Sequence, residues 1–184
     1  MIWPDRVTWG ATTLLTRDIT GIRYGVVVTN LANRQYTVAI TDGHKTISIE
    51  RYNLFTGGKV EDRFKTLLDV LAVSVIEPLI KRMLESIVLG PGFELRDPGI
   101  LSTGRLRVDK SGLHWTPGRT FGLFERGGDF VPWSEYDTYS LHQGRIYLFR
   151  KMMKKSWLSF GLLDTWNAVC LGRVLSAAIQ NGIA

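Results

Sequence analysis

Val131-Pro132-Trp133-Ser134-Glu135-Tyr136 opens the stretch, residues 130–180, whose reading decides the fold. Its β-branched and aromatic residues favour a strand over residues 131–139. Short apolar runs follow at 145–150 and 156–160 and read as two more strands. Beyond them, apolar residues recur three and four positions apart, which is the period of an amphipathic helix. Asp164 or Thr165 can cap its start, and Gly182 stands where a helix ends. Trp166, Val169, Cys170, Val174, Ala177 and Ala178 form the expected inward stripe, widened by Leu171 and Leu175.

A weaker version of the same order opens the chain. Residues 7–16, containing Val7-Thr8-Trp9-Gly10, read as a first strand, and residues 22–29 carry the densest β-branched run. Residues 35–41 and 45–50 flank Asp42-Gly43, a strong hairpin signal because such turns need positive φ. Loops are expected at 30–33, at 53–59 with Gly57-Gly58, and around Phe121-Gly122-Leu123-Phe124, including Gly127-Gly128. Residues 60–89 have helical periodicity through Phe64, Leu67, Leu68, Leu71 and Val75. Pro78 lacks an N–H and crowds the preceding turn, so one helix is expected to end near Ile76 and a second to run from Glu77 to Val88. Gly90-Pro91-Gly92 is the clearest stop and divides the chain into residues 1–90 and 91–184.

With 184 residues and 45% apolar side chains the chain can build a real core. Its single cysteine excludes an intramolecular disulfide and fits a reducing, cytoplasmic setting. The helical spacing puts Cys170 on an apolar face, where it reads as a small core residue. The net charge of +6 permits attraction to anionic membranes or nucleic acid without demanding it. The most apolar run, residues 67–76, contains Asp69 and falls far short of the roughly 20 residues a bilayer span requires, so no transmembrane span is expected.

Two motifs in the second half carry a family likeness. Gly104-Arg105-Leu106-Arg107-Val108-Asp109-Lys110-Ser111-Gly112-Leu113 resembles the hairpin, and Val131-Pro132-Trp133-Ser134-Glu135-Tyr136 the Trp-containing strand, of bacterial pleckstrin-homology-like domains. The resemblance implies an α+β fold of antiparallel split barrels, each closed by a C-terminal amphipathic helix. Residues 91–184 would form a complete unit. Residues 1–90 would form an incomplete one: if Trp9 corresponds to Trp133, the strands that should precede it are missing. Such a unit borrows strands from elsewhere or belongs to a longer protein, or else the duplication is illusory. An incomplete sheet exposes an edge, and exposed edges invite pairing with another chain.

Motifs for catalysis are absent. His44, His114 and His142 have no local metal-binding partners, and neither a Gly-x-Ser-x-Gly elbow nor a phosphate or dinucleotide loop occurs, so no cofactor, metal or enzymatic activity is expected. Glu61, Asp62 and Asp69 are explained by the helix dipole and a solvated face, and Asp109, Asp129 and Asp137 by turns and strand ends. Trp9, Trp115, Trp133 and Trp166 are expected in the core. One surface stretch invites a functional reading. Arg145, Arg150, Lys151, Lys154 and Lys155 flank Met152 and Met153, a pattern suited to docking on an anionic surface or to keeping a sheet edge soluble. In pleckstrin-like folds the anionic-lipid site commonly sits at the first hairpin, which implies Arg105, Arg107 and Lys110. Nucleic-acid binding fits poorly, because cations and aromatics interleave in this loop alone. The expected function is therefore a non-catalytic interaction or scaffold module that binds protein partners or itself through a sheet edge or the surface of the helix at residues 79–88. Peripheral binding to an anionic membrane is the alternative, followed by a small-molecule or enzyme site between the two units.

Overall fold

The computed structural model describes residues 1–28, 33–53, 59–97, 104–118 and 128–183. The chain is an α+β protein of antiparallel sheets and helices. It divides into two compact units, Met1–Leu79 and Ile80–Ala184, and the division falls inside a helix ahead of Gly90.

In the first unit, β1 (Arg6–Trp9) and β2 (Thr12–Leu15) form a hairpin where a single strand was expected. Gly10, at φ +56°, turns the chain between them, a conformation glycine adopts without steric cost. β3 (Gly21–Val28), β4 (Arg34–Thr41) and β5 (Thr46–Asn53) form a three-stranded meander. The Asp42 carboxylate fixes the β4–β5 turn by accepting the backbone N–H of His44 at 2.8 Å and of Lys45 at 2.6 Å. Ile22, Val38, Ile40 and Ile47 are buried beneath this sheet.

The helical stretch departs from expectation at proline. α1 (Lys59–Leu71) passes through a π-helical segment, Ala72–Ile76, into α2 (Glu77–Leu89) without leaving helical backbone angles. The widened turn lies directly before Pro78, where a missing N–H and a bulky ring strain a regular α-helix. Leu71, Val75, Ile76, Leu79, Met83 and Ile87 are buried along it.

In the second unit, β6 (Phe93–Asp97), β7 (Gly104–Asp109), β8 (Gly112–Thr116) and β9 (Asp129–Pro132) form a four-stranded sheet. β10 (Tyr136–His142), β11 (Arg145–Arg150) and β12 (Leu158–Gly161) form a three-stranded one. The expected strand over 131–139 is thus two strands in different sheets, separated by a 3₁₀ turn, Trp133–Glu135. Proline explains the corner: Pro132 has no N–H to extend a ladder. α3 (Ala168–Gln180) starts later than Asp164 or Thr165, after Asn167 in the left-handed region at φ 64°. Cys170, Leu171, Val174, Leu175 and Ala178 are buried on it as the spacing implies, with Ala168 and Gly172 in addition; Val169 and Ala177 are half-buried, and Trp166 precedes it. Burial pushes the Cys170 thiol up to about 12, so it stays protonated and inert. No closed barrel forms among the described residues.

Two corners of the chain share one local geometry. Leu15 (φ −76°, ψ 135°), the 3₁₀ turn Thr16–Asp18 and Ile19 (φ −64°, ψ 121°) join β2 to β3. Pro132 (φ −62°, ψ 153°), the turn Trp133–Glu135 and Tyr136 (φ −69°, ψ 135°) join β9 to β10. Each corner leads into a three-strand meander and then a helix. Thr16 begins the first corner as Trp133 begins the second, and a two-stranded hairpin precedes the first corner where a four-stranded sheet precedes the second. Trp9 is accordingly no core residue: it is 39% exposed, with the Arg51 guanidinium over its ring. Trp115, Trp133 and Trp166 are half-buried. The loop features expected at residues 30–32, Gly57-Gly58, Phe121-Gly122-Leu123-Phe124 and Gly127 lie outside the described residues.

Candidate functional site

The basic stretch after β11 is less available than its sequence implies. Arg150 donates to one Glu135 carboxylate oxygen through Nε at 2.9 Å and Nη2 at 2.5 Å, and lies 3.7 Å from Asp129. Trp157 Nε1 donates to the other Asp129 oxygen at 2.6 Å. Lys151 Nζ donates to the Ser134 carbonyl at 2.9 Å, and its backbone N–H to that of Glu135 at 2.8 Å. Arg145 donates to the Ser159 hydroxyl at 3.1 Å. These three cations hold the meander and its corner together. What remains at the loop is Met152, fully exposed at φ +67°, with half-exposed Met153 and exposed Lys154 and Lys155.

The three hairpin cations do not converge. Arg105 and Arg107 share the exposed face of β7, where Arg105 is opposite Arg96 and Arg107 is opposite both Glu94 and His114. Lys110 lies in the β7–β8 turn, at the far end of the strand from Arg105.

Asp109 organises that turn, a role the sequence shows only as turn chemistry. Its Oδ1 accepts the Ser111 N–H at 2.9 Å and the Ser111 hydroxyl at 2.6 Å, and Arg107 Nε approaches Oδ2 at 3.2 Å. Its backbone carbonyl accepts Trp133 Nε1 at 3.0 Å, tying the hairpin to the corner. His114 Nε2 lies 2.9 Å from Ser111 Oγ and 3.2 Å from Asp109 Oδ1, and its ring stacks on Phe130 at 4.4 Å. Serine, histidine and aspartate together suggest a nucleophile, but a relay needs the two ring nitrogens facing the acid and the hydroxyl separately. Here both meet Nε2, so the cluster is a turn lock. Burial pushes the Asp109 carboxyl up, but the Ser111 and His114 hydrogen bonds outweigh it and hold the carboxyl below the usual range.

Gly112, at φ +145°, follows Asp109 because a Cβ there would overlap the Val131 carbonyl oxygen and lie 2.8 Å from the Pro132 Cα. The Asp-x-x-Gly spacing is thus explained by the turn and by β9's approach.

No cluster of three metal-ligating side chains exists among the described residues. None of the described helices is long and apolar enough to cross a membrane. The chain matches no protein-family model, and no curated protein or solved structure is significantly similar to it.

Proposed function

We propose that the chain is a non-catalytic, cytoplasmic interaction module of pleckstrin-homology-like units that associates with a second copy of itself through the end of β3. The split-barrel reading is supported by the second unit's order of four strands, three strands and a helix, and by the matching corner and meander in the first. The association rests on one observation. Val26, Val27 and Val28 are 42%, 42% and 65% exposed at the end of β3, which is an edge strand. Consecutive residues face opposite sides of a sheet, so this strand end is apolar on both faces. An apolar edge without charge or proline invites another strand, and an antiparallel partner copy is self-complementary about a twofold axis at Val27. Light scattering at tens of micromolar should give twice the 20.8 kDa chain mass, and Val27→Lys should return it to one chain. A wild-type mass of one chain at every concentration removes the proposal.

Membrane association is a second reading, favoured by Met152 and Met153 standing exposed beside Lys154 and Lys155. Flotation with vesicles rich in anionic lipid at low salt should recover the protein, and the Lys154→Glu/Lys155→Glu double variant should reduce recovery severalfold. Equal recovery on neutral vesicles overturns it.

A further inference from the structure

The first unit contains a cavity of about 190 Å³, walled by Trp9, Tyr36, Ile49, Phe64 and Leu67. Two cations, Arg51 and Arg63, also line it. Elsewhere in this unit Arg6, Arg17 and Arg34 each have a carboxylate within 4.0 Å, at Asp5, Asp18 and Glu61. Among the described residues Arg51 and Arg63 have none. Arg51 lies over the Trp9 ring at 5.2 Å and donates to the Glu50 carbonyl at 3.2 Å, which fixes its direction without neutralising it. Tyr36 and Phe64, with ring centroids 5.0 Å apart, make one wall an aromatic surface.

We propose that this cavity binds a small monocarboxylate with a compact apolar body, the body among the aromatic side chains and the carboxylate on Arg51 and Arg63. Size permits this: a space of about 150 Å³ accepts a benzene ring, and this pocket, which is open to solvent, leaves room for a short acid-bearing arm. Charge supports it as well, because two guanidiniums beside an apolar wall lack the anion that arginine's fork geometry matches. The site lies wholly within the first unit and does not depend on self-association.

Phenylacetate and hexanoate serve as probes, with phenylacetamide and hexanamide as uncharged counterparts, in titrations of the full chain followed by calorimetry and amide chemical shifts. Both carboxylates should bind at least tenfold more tightly than their amides, with shifts centred on Trp9, Tyr36 and Phe64. Preference for phenylacetate identifies an aromatic acid as the ligand class, and preference for hexanoate an acyl one. Arg63→Met lies on an exposed helix surface and keeps good helix propensity. It should weaken carboxylate binding about tenfold and leave the amides unchanged, and Arg51→Met should act in the same direction. Circular dichroism and melting temperature identify any variant that has lost its fold, in which case the wild-type comparison of acid with amide decides. Equal affinity for acid and amide, binding insensitive to both arginine variants in folded protein, or no binding at 10 mM probe overturns the proposal.

Discussion

Phe160→Ala should cost about 3–5 kcal/mol of stability, the range for emptying a buried aromatic site. Phe160 is fully buried on β12, and its ring meets Trp115 of β8 edge-on with centroids 5.8 Å apart. It therefore bridges the three-stranded and four-stranded sheets of the second unit. Its removal loses the transfer free energy of the ring, and the surrounding sheet backbones are too constrained to collapse fully into the space. Urea unfolding checks this: the midpoint should fall while the slope stays unchanged. Met152→Ala, on a fully exposed side chain, should move stability by no more than about 0.5 kcal/mol. A Phe160 variant as stable as the Met152 variant would mean that the two sheets do not depend on this contact.

Strands, turns and the closing helix were legible because each rests on local chemistry. Asp42-Gly43 and the β-branched run of β3 specify their elements within a few residues, and both appear where expected. The misreadings arise where neighbours in space decide. The segment at 131–139 has strand composition throughout, and only packing reveals that Pro132 and Trp133 turn the chain from one sheet to the next. Pro78 signals a break that the π segment absorbs. Arg150 and Lys151 read as free cations because Glu135 and Ser134, which hold them, are distant in sequence. The cavity at Trp9, Phe64 and Arg63 left no linear signal, since a hairpin, a meander and a helix each contribute part of it.

The same distinction governs Asp109, whose substitution should have an effect that depends on pH. Asp109→Asn keeps the size of the side chain but removes the charge facing Arg107 and replaces one acceptor oxygen with a donor amide. Its carbonyl oxygen can keep the Oδ1 place, which serves the Ser111 N–H, the Ser111 hydroxyl and His114, but without the charge that strengthens those bonds, and the amide then stands at Oδ2 opposite Arg107. Because the side chain is only 12% exposed, water screens these bonds little, and a loss of about 1.5 kcal/mol at pH 7 is expected, the low end for hydrogen bonds to a charged group. Arg107→Gln, on the half-exposed partner, should cost no more than about 1 kcal/mol. The folded carboxyl pKa is depressed, so the charged form's contribution is present in full above the unfolded value near ~3.9. It declines as pH falls below that value and is gone once pH passes through the folded pKa. Urea midpoints for the wild type and Asp109→Asn should therefore differ most at neutral pH and converge on acidification below about pH 4. A constant difference from pH 7 to pH 2 would show that Asp109 acts through its shape in the turn and not through its charge.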